Sequence, residues 1–233
     1  MKDFNLLAVL LNGEFGAMLI KGVQMTLKIA IGSWLLAMVL ALLLLMIRLT
    51  PSRLAQRAVA AYVSYHRNVP TLVQLMLWYF GISSLLPDAL QAWLSEHNGE
   101  AVFAIIALGL CQAAYFSEDL RSGLRSISDG QTEAARALGH SYFSSMRYVV
   151  LPQAVRNAVP ALVNHSVSLF KNSSLAMAIG VAELTHAVKE IESQSFRTFE
   201  VYLVATIVYL GFSLLIMLAG AWLARRYSLA GAR

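Results

Sequence analysis

The run from Gly22 to Ile47, G-V-Q-M-T-L-K-I-A-I-G-S-W-L-L-A-M-V-L-A-L-L-L-L-M-I, decides the fold: its 26 residues carry a single charge, Lys28. As an α-helix it rises about 39 Å, more than the roughly 30 Å hydrocarbon core of a bilayer. Helix is what lipid demands, because no backbone polar group can stay unpaired there. Arg48 closes the run, and Thr50-Pro51 stops the helix. Four further segments have the same character. They cover residues 69–86 (with Pro70 near the start and Pro87 after the end), 101–116, 154–170, and 201–223 ahead of Arg225-Arg226. The reading is an all-α integral membrane bundle with five transmembrane helices, one domain over residues 1–233.

Composition agrees. The chain is 58 % hydrophobic and 13 % charged, with a mean hydropathy of +0.62, whereas soluble domains carry about 25 % charge. A cytosolic enzyme domain, low-complexity disorder and a disulfide scaffold are excluded. The lone cysteine, Cys111, has no partner in the chain and sits in an apolar stretch as a small packed side chain. Residues Met1 to Gly16 lack a basic n-region leading to an apolar core and cleavage site, so no cleaved signal peptide is expected.

Charge sets the expected orientation, because Lys and Arg accumulate in short cytoplasmic loops. With the N-terminus periplasmic and the C-terminus cytoplasmic, the inner loops hold Arg48, Arg53, Arg57, Arg67, Arg121, Arg125, Arg136, Arg147, Arg156, Arg225, Arg226 and Arg233, 12 of the 18 basic residues. The outer segments hold nine of the 13 acids, among them Asp88, Glu100, Glu183 and Glu200. The net charge of +5 is therefore a topology signal, and nucleic acid is not an expected partner.

Between the third and fourth spans lies a polar stretch, residues 117–153, too charged to cross lipid. From Asp129 it reads D-G-Q-T-E-A-A-R-A-L-G-H. Gln131 to Leu138 are helix formers, Ser128 or Asp129 is the N-cap, Glu133 suits the positive end of the helix dipole, and Gly139 ends the helix. Ala134, Ala135, Ala137 and Leu138 form a small-residue patch on a helix that cannot enter the bilayer. An amphipathic helix on the inner membrane surface is the competing reading. Alanine anchors poorly and Leu138 is the one bulky apolar residue of the helix, so a protein partner groove is favoured.

This stretch resembles the EAA loop of ABC importer permeases, through Glu133-Ala134-Ala135, then Gly139, then Leu151-Pro152. Other segments resemble polar amino-acid permeases of the histidine/glutamine/glutamate type, in the right order. Arg67-Asn68-Val69-Pro70-Thr71-Leu72-Val73-Gln74-Leu75 is similar to the segment opening their second span. Ala114 to Gly123 with Gly130-Gln131 is similar to their loop entry, and Lys171-Asn172-Ser173-Ser174-Leu175 to their K-D-T-S-L segment.

The resemblance implies a permease that docks, through Glu133, Ala134, Ala135, Leu138 and Gly139, into a groove on an ABC ATPase subunit, two of which serve the assembly, with Pro152 positioning the fourth span. It also implies a second permease subunit, the same or related, a periplasmic binding protein that delivers an amino acid, and a lipid setting. ATP and Mg²⁺ belong to the ATPase: the chain has no G-x-x-x-x-G-K-[ST] loop, so no cofactor and no catalytic residue is expected in it.

Polar residues at membrane depth tend to face cavities. His165, Ser168 and Asn172, at i, i+3 and i+7, share a face of the fourth span that suits a substrate path or hydrogen bonds across a permease dimer. Gln74 and Trp78 form an i, i+4 pair on the second span, with packing as the plain role for Trp78. Where the family has an acid, this chain has Asn172, next to Lys171, which disfavours a cationic substrate and favours glutamate or aspartate, then glutamine. Lys171 also suits an ion pair or a snorkelling anchor. Glu118 and Asp119 are expected to diverge and be solvated or paired with Arg121 or Arg125. His66, His97, His140, His165 and His186 have no metal-ligand spacing. An intramembrane enzyme using His165 and Ser168 lacks a recognisable nucleophile and base set. An ATP-independent channel or secondary transporter predicts internal inverted repeats, which the sequence does not show.

Overall fold

The computed structural model describes residues 12–226, and these form helices joined by short turns, with no strand among them. Arg233, used above for orientation, and Asp3, another of the nine outer acids counted there, lie outside the described residues. Helix α1 runs Gly13–Arg48. Asn12 caps it by accepting from the backbone N–H of Glu14 at 3.0 Å and of Phe15 at 3.2 Å. The helix is apolar all round, but besides Leu19 and Ile29 the face it buries is made of small residues, Gly22, Thr26, Ala30, Ser33, Ala37 and Ala41. Small side chains let helix backbones approach where the bilayer supplies no hydrophobic drive. The helix packs on α5, Gly99–Arg125, which also buries small residues, Ala101, Ala104, Ala107, Gly109 and Ala113, beside the larger Phe103, Leu108 and Phe116.

Helix α2, Arg53–Asn68, follows α1 and packs Val59 and Val63 with Ala114 of α5 and Leu44 of α1. Helix α3 covers Thr71–Leu85, α-helical to Met76, widened to a π-turn over Leu77–Ile82, and tightened to 3-10 over Ser83–Leu85. The short α4, Asp88–Glu96, leads into α5. Helix α6 is Asp129–Ala137. A single turn, α7 (Tyr142–Ser145), and a π-turn over Met146–Val150 lead into α8, Leu151–Asn172. A 3-10 stretch, Ser173–Ile179, ends at Gly180 (φ 89°); then come α9, Leu184–Ser195, and α10, Thr198–Arg226.

Three helices, α1, α5 and α10, are long and apolar enough to cross a membrane, and α3 is a shorter apolar helix. The expected polar loop over 117–153 begins only after Arg125, because Ser117–Arg125 continues α5 as a polar helical extension. The linkers 48–69, 87–100 and 181–200 are likewise mostly helix: α2, α4 and α9. Their polarity kept them from reading as spans, and polarity alone does not exclude helix. The core lies where α3, α5, α8 and the 3-10 stretch meet α1, around Ile29, Leu75, Leu108, Leu169 and Ile179. A second cluster joins α1, α9 and α10 around Leu19, Leu184, Val188, Ile191 and Val201.

Candidate functional site

Helix α6 ends as its sequence requires. Gly139 adopts φ 90°, which costs glycine nothing. Its N–H bonds the Arg136 carbonyl at 2.9 Å, and the N–H of His140 bonds that of Ala135 at 3.1 Å, closing the helix C-terminus. Ser128 occupies the N-cap position but makes no side-chain cap bond. Ala135 is buried toward the lead-in of α8, whereas Glu133, Ala134 and Gly139 are exposed and Leu138 is 84 % exposed. Two aromatics of α7 extend the apolar tip, Tyr142 at 68 % and Phe143 at 72 % exposure. Sequence reasoning missed them, although Tyr142-Phe143 directly follows the helix-ending Gly139-His140-Ser141.

The loop is clipped to the helices on either side. Gln153 donates to the Gln131 side chain at 3.3 Å and to the Val149 carbonyl at 2.9 Å, and Asn157 donates to Ser126 Oγ at 2.7 Å. A Cβ on Gly123 would stand 2.5 Å from the Ala154 carbonyl oxygen, so α5 and α8 touch backbone to backbone there. Pro152 lies in the first turn of α8. It has no N–H to return up the helix, and the turn before it is widened, the Leu151 N–H reaching Met146.

The polar residues of the fourth span are divided in their partners. His165 Nδ1 lies 2.6 Å from Asp119 Oδ2 of α5, and its ring packs 5.0 Å from that of Tyr115. Asp119 is thus paired across helices. Glu118 instead holds Arg48 of α1 and Arg121 of its own helix, so only the Arg121 pairing follows the expectation for this acidic pair. Ser166 accepts from Trp34 Nε1 at 2.9 Å. Ser168 and Asn172 are half-buried and form no side-chain hydrogen bond with another described residue, and Lys171 is exposed. Gln74 is buried, its amide spanning the break between α2 and α3: Nε2 donates to the carbonyls of Val69 at 2.7 Å and His66 at 3.1 Å, and Oε1 lies 2.5 Å from His66 Nδ1. Burial lowers the His66 pKa, which favours the neutral ring. Trp78 packs against the core beside Leu75.

Glu183, counted among the outer acids in the sequence, is fully buried. Its carboxylate caps α9, accepting from the N–H of Thr185 and of His186, both at 2.9 Å, and from the Tyr209 hydroxyl of α10 at 2.9 Å. Thr26 of α1 lies 3.4 Å from it and accepts from the Leu184 N–H at 3.0 Å. Burial raises its pKa against the pull of these donors. No local pattern announces this cluster, since its members come from three helices. Among the described residues no group of three His, Cys, Asp or Glu could hold a metal ion.

Apolar helices joined through small residues, with an exposed helix-and-turn between two of them, define a helical membrane protein with a protruding polar loop. The chain belongs to the family of binding-protein-dependent transport system inner membrane components, whose model matches residues 35–229. It is 38 % identical over 191 residues to the probable amino-acid permease protein YxeN of Bacillus subtilis, covering 82 % of this chain and 83 % of that one. It is 31 % identical over 214 residues to the glutamate/aspartate import permease protein GltJ of Escherichia coli, covering 90 % and 87 %. The nopaline transport system permease protein NocM of Agrobacterium fabrum is 38 % identical over 210 residues, covering 88 % and 87 %. Among solved structures, the crystal structure of an amino acid ABC transporter with histidines matches with a TM-score of 0.82 and 28 % identity, over 96 % of this chain and 99 % of that one.

Proposed function

We propose that this chain is the permease subunit of an ABC importer that moves glutamate or aspartate across the bacterial inner membrane, working with a second permease, two ATPase subunits and a periplasmic binding protein. The observation that carries the coupling role is the exposed tip of Leu138, Tyr142 and Phe143 around the Gly139 turn. It is apolar, stands on a charged loop and is fixed to α5 and α8, so a force applied there is passed to both helices. Glu133 and Ala134 beside it supply a polar contact and a close approach, while Ala135, which is buried, and Pro152 in the first turn of α8 set the tip against that helix.

Five crossings serve the path: α1, α3, α5, α8 and α10, with the N-terminus periplasmic and the C-terminus cytoplasmic. Helix α8 is 22 residues long, about 33 Å, which suits a span despite its polar side chains. Nucleotide on the ATPase shifts a two-state equilibrium between inward-open and outward-open forms. Ser168 and Asn172 offer unengaged polar groups to a passing substrate; His165, Gln74 and Trp78 shape the wall, and Lys171 favours an anion. The acidic substrate is supported by the amide at Asn172 and by relatives such as GltJ. Relatives also include the arginine transport system permease protein ArtQ of Bacillus subtilis; in this reading it is the uncharged amide at Asn172, beside Lys171, that favours an acidic over a basic substrate.

Proteoliposomes holding the assembled importer and its binding protein test both parts. ATP hydrolysis is expected to rise with glutamate or aspartate, and Leu138→Asp is expected to abolish the rise. Stimulation by arginine instead refutes the acidic substrate, and unaltered stimulation in Leu138→Asp refutes the coupling surface.

A further inference from the structure

A polar cavity of about 310 Å³ opens where the apolar run of α1 stops, between the ends of α1 and α5 and the flank of α2. Arg48, Ser64, Arg67, Asn68 and Glu118 line it, and its volume is several times the roughly 30 Å³ share of one water. Its charge is unbalanced. Glu118 is the one acid in the lining and is already held by both Arg48 and Arg121. Arg67 has no carboxylate within salt-bridge distance among the described residues; its guanidinium lies 5.5 Å over the Tyr115 ring, which supports the plane and leaves the N–H edge for another acceptor. Arg48 ends a helix long and apolar enough to cross a membrane, and its neighbours in the chain, Met46, Ile47 and Leu49, are exposed apolar side chains. A soluble anion has no use for them, whereas the chains of a lipid do.

We propose that this cavity binds the phosphate of an anionic phospholipid, with Arg67 and Arg48 on the phosphate, Ser64 and Asn68 on the headgroup, and the acyl chains along α1. Basic pockets between membrane helices suit such headgroups. The surplus of guanidinium over carboxylate supplies the selectivity against zwitterionic lipid. The lipid holds the α1–α2 corner, from which the chain turns into α3. The inference rests on the proposed orientation only in naming the leaflet cytoplasmic; the cavity lies at that end of α1 either way.

The test is native mass spectrometry of the importer purified in detergent with equimolar phosphatidylglycerol and phosphatidylcholine. Wild type is expected to retain phosphatidylglycerol preferentially. Arg67→Gln is expected to lower that preference about fivefold, the contribution of one basic side chain near an anionic lipid surface, and Arg67→Lys to keep most of it. Ser64→Asp, at an exposed position, puts a carboxylate into the cavity without removing a guanidinium and is expected to abolish the preference. Arg57→Gln on the exposed side of α2 is expected to leave it unchanged. Equal loss in Arg57→Gln and Arg67→Gln overturns the site in favour of diffuse surface charge. So does retention of inorganic phosphate with no preference between the two lipids. Substrate-stimulated ATP hydrolysis in the same preparations separates this inference from the transport reading.

Discussion

Replacing Glu183 by alanine is expected to destabilise the protein by about 2 kcal/mol, through two effects that can be counted. Loss of a helix N-cap costs about 1 kcal/mol, and loss of the hydrogen bond from the Tyr209 hydroxyl costs about 1 kcal/mol more. The cap bonds are those of Thr185 and His186; neither hydroxyl is stranded, because Tyr209 keeps Thr185 Oγ1 at 2.9 Å and Thr26 keeps the Gly22 carbonyl at 3.0 Å. For a chain of this size that is a fall in Tm of about 4–8 °C. The effect has a predictable pH dependence. Burial raises the carboxyl pKa above its ordinary value, so the folded state holds the proton more tightly than the unfolded one. The resulting stability is fully present below the unfolded value of about 4.3 and is lost as pH rises through the folded pKa. Above that pKa the charged carboxylate is buried at a cost, which offsets part of the cap, so Glu183→Ala should lose more at pH 5 than at pH 8. Glu183→Gln keeps an acceptor for the N–H groups and imitates the neutral form; it should lose about 1 kcal/mol and flatten the local pH slope. Thermal unfolding in detergent, followed at several pH values, measures all three. An alanine variant as stable as wild type, or one whose deficit grows with pH, refutes the reasoning.

Two glycines give opposite outcomes for one substitution. Gly123→Ala drives a methyl group into the Ala154 carbonyl and Ala158 and is expected to cost about 1–3 kcal/mol, whereas Gly211→Ala on α10 meets nothing within 4 Å and should be neutral or up to about 1 kcal/mol stabilising; thermal unfolding of the pair checks it. Gly139→Ala also meets no atom, but its φ of 90° disfavours a side chain by about 1–2 kcal/mol. It should lower the unfolding temperature by about 2–8 °C while reducing substrate-stimulated ATP hydrolysis, and equal activity with wild type counts against the turn as part of the coupling surface.

The parts of the fold that could be read in the sequence are those whose signal is local. The apolar runs at 22–47, 101–116 and 201–223 lie within α1, α5 and α10, because a membrane helix must be apolar along its length. The end of α6 was legible because a glycine following a run of helix formers has one common use. Helix α2 was harder: Arg53, Arg57 and Arg67 read as loop charges, although Val59, Val63 and His66, the face it buries, recur at helical spacing. The polar extension of α5 failed for the same reason. Glu118, Asp119 and Arg121 marked the end of the apolar run, yet their side chains find Arg48, His165 and each other while the backbone stays helical. The pairing of His165 with Asp119 and of Glu183 with Tyr209 and Thr26 was not legible at all, since it is set by helices distant in sequence; the bonds of Gln74 to His66 and Val69 are close in sequence but depend on how the chain breaks between α2 and α3.

These side-chain pairings share a physical role. Each sits where a helix is interrupted or where two helices must be fixed in register. At the α2–α3 break Gln74 supplies donors to the carbonyls that Pro70 leaves without a helical partner. At Gly180, where the 3-10 stretch gives way to α9, Glu183 supplies acceptors to the N–H groups opening the next helix. Between α5 and α8, His165 and Asp119 tie the level just above the exposed loop. Irregular backbone away from water is tolerable only where such groups satisfy it. It is also where the chain can change direction at least cost, because side-chain bonds replace the stiff helical ladder there. The small-residue contact of α1 with α5 has no such interruption. In a permease that alternates between two forms, α1 and α5 would therefore move as one body, and bending would concentrate at Val69–Pro70, before Pro152 and at Gly180.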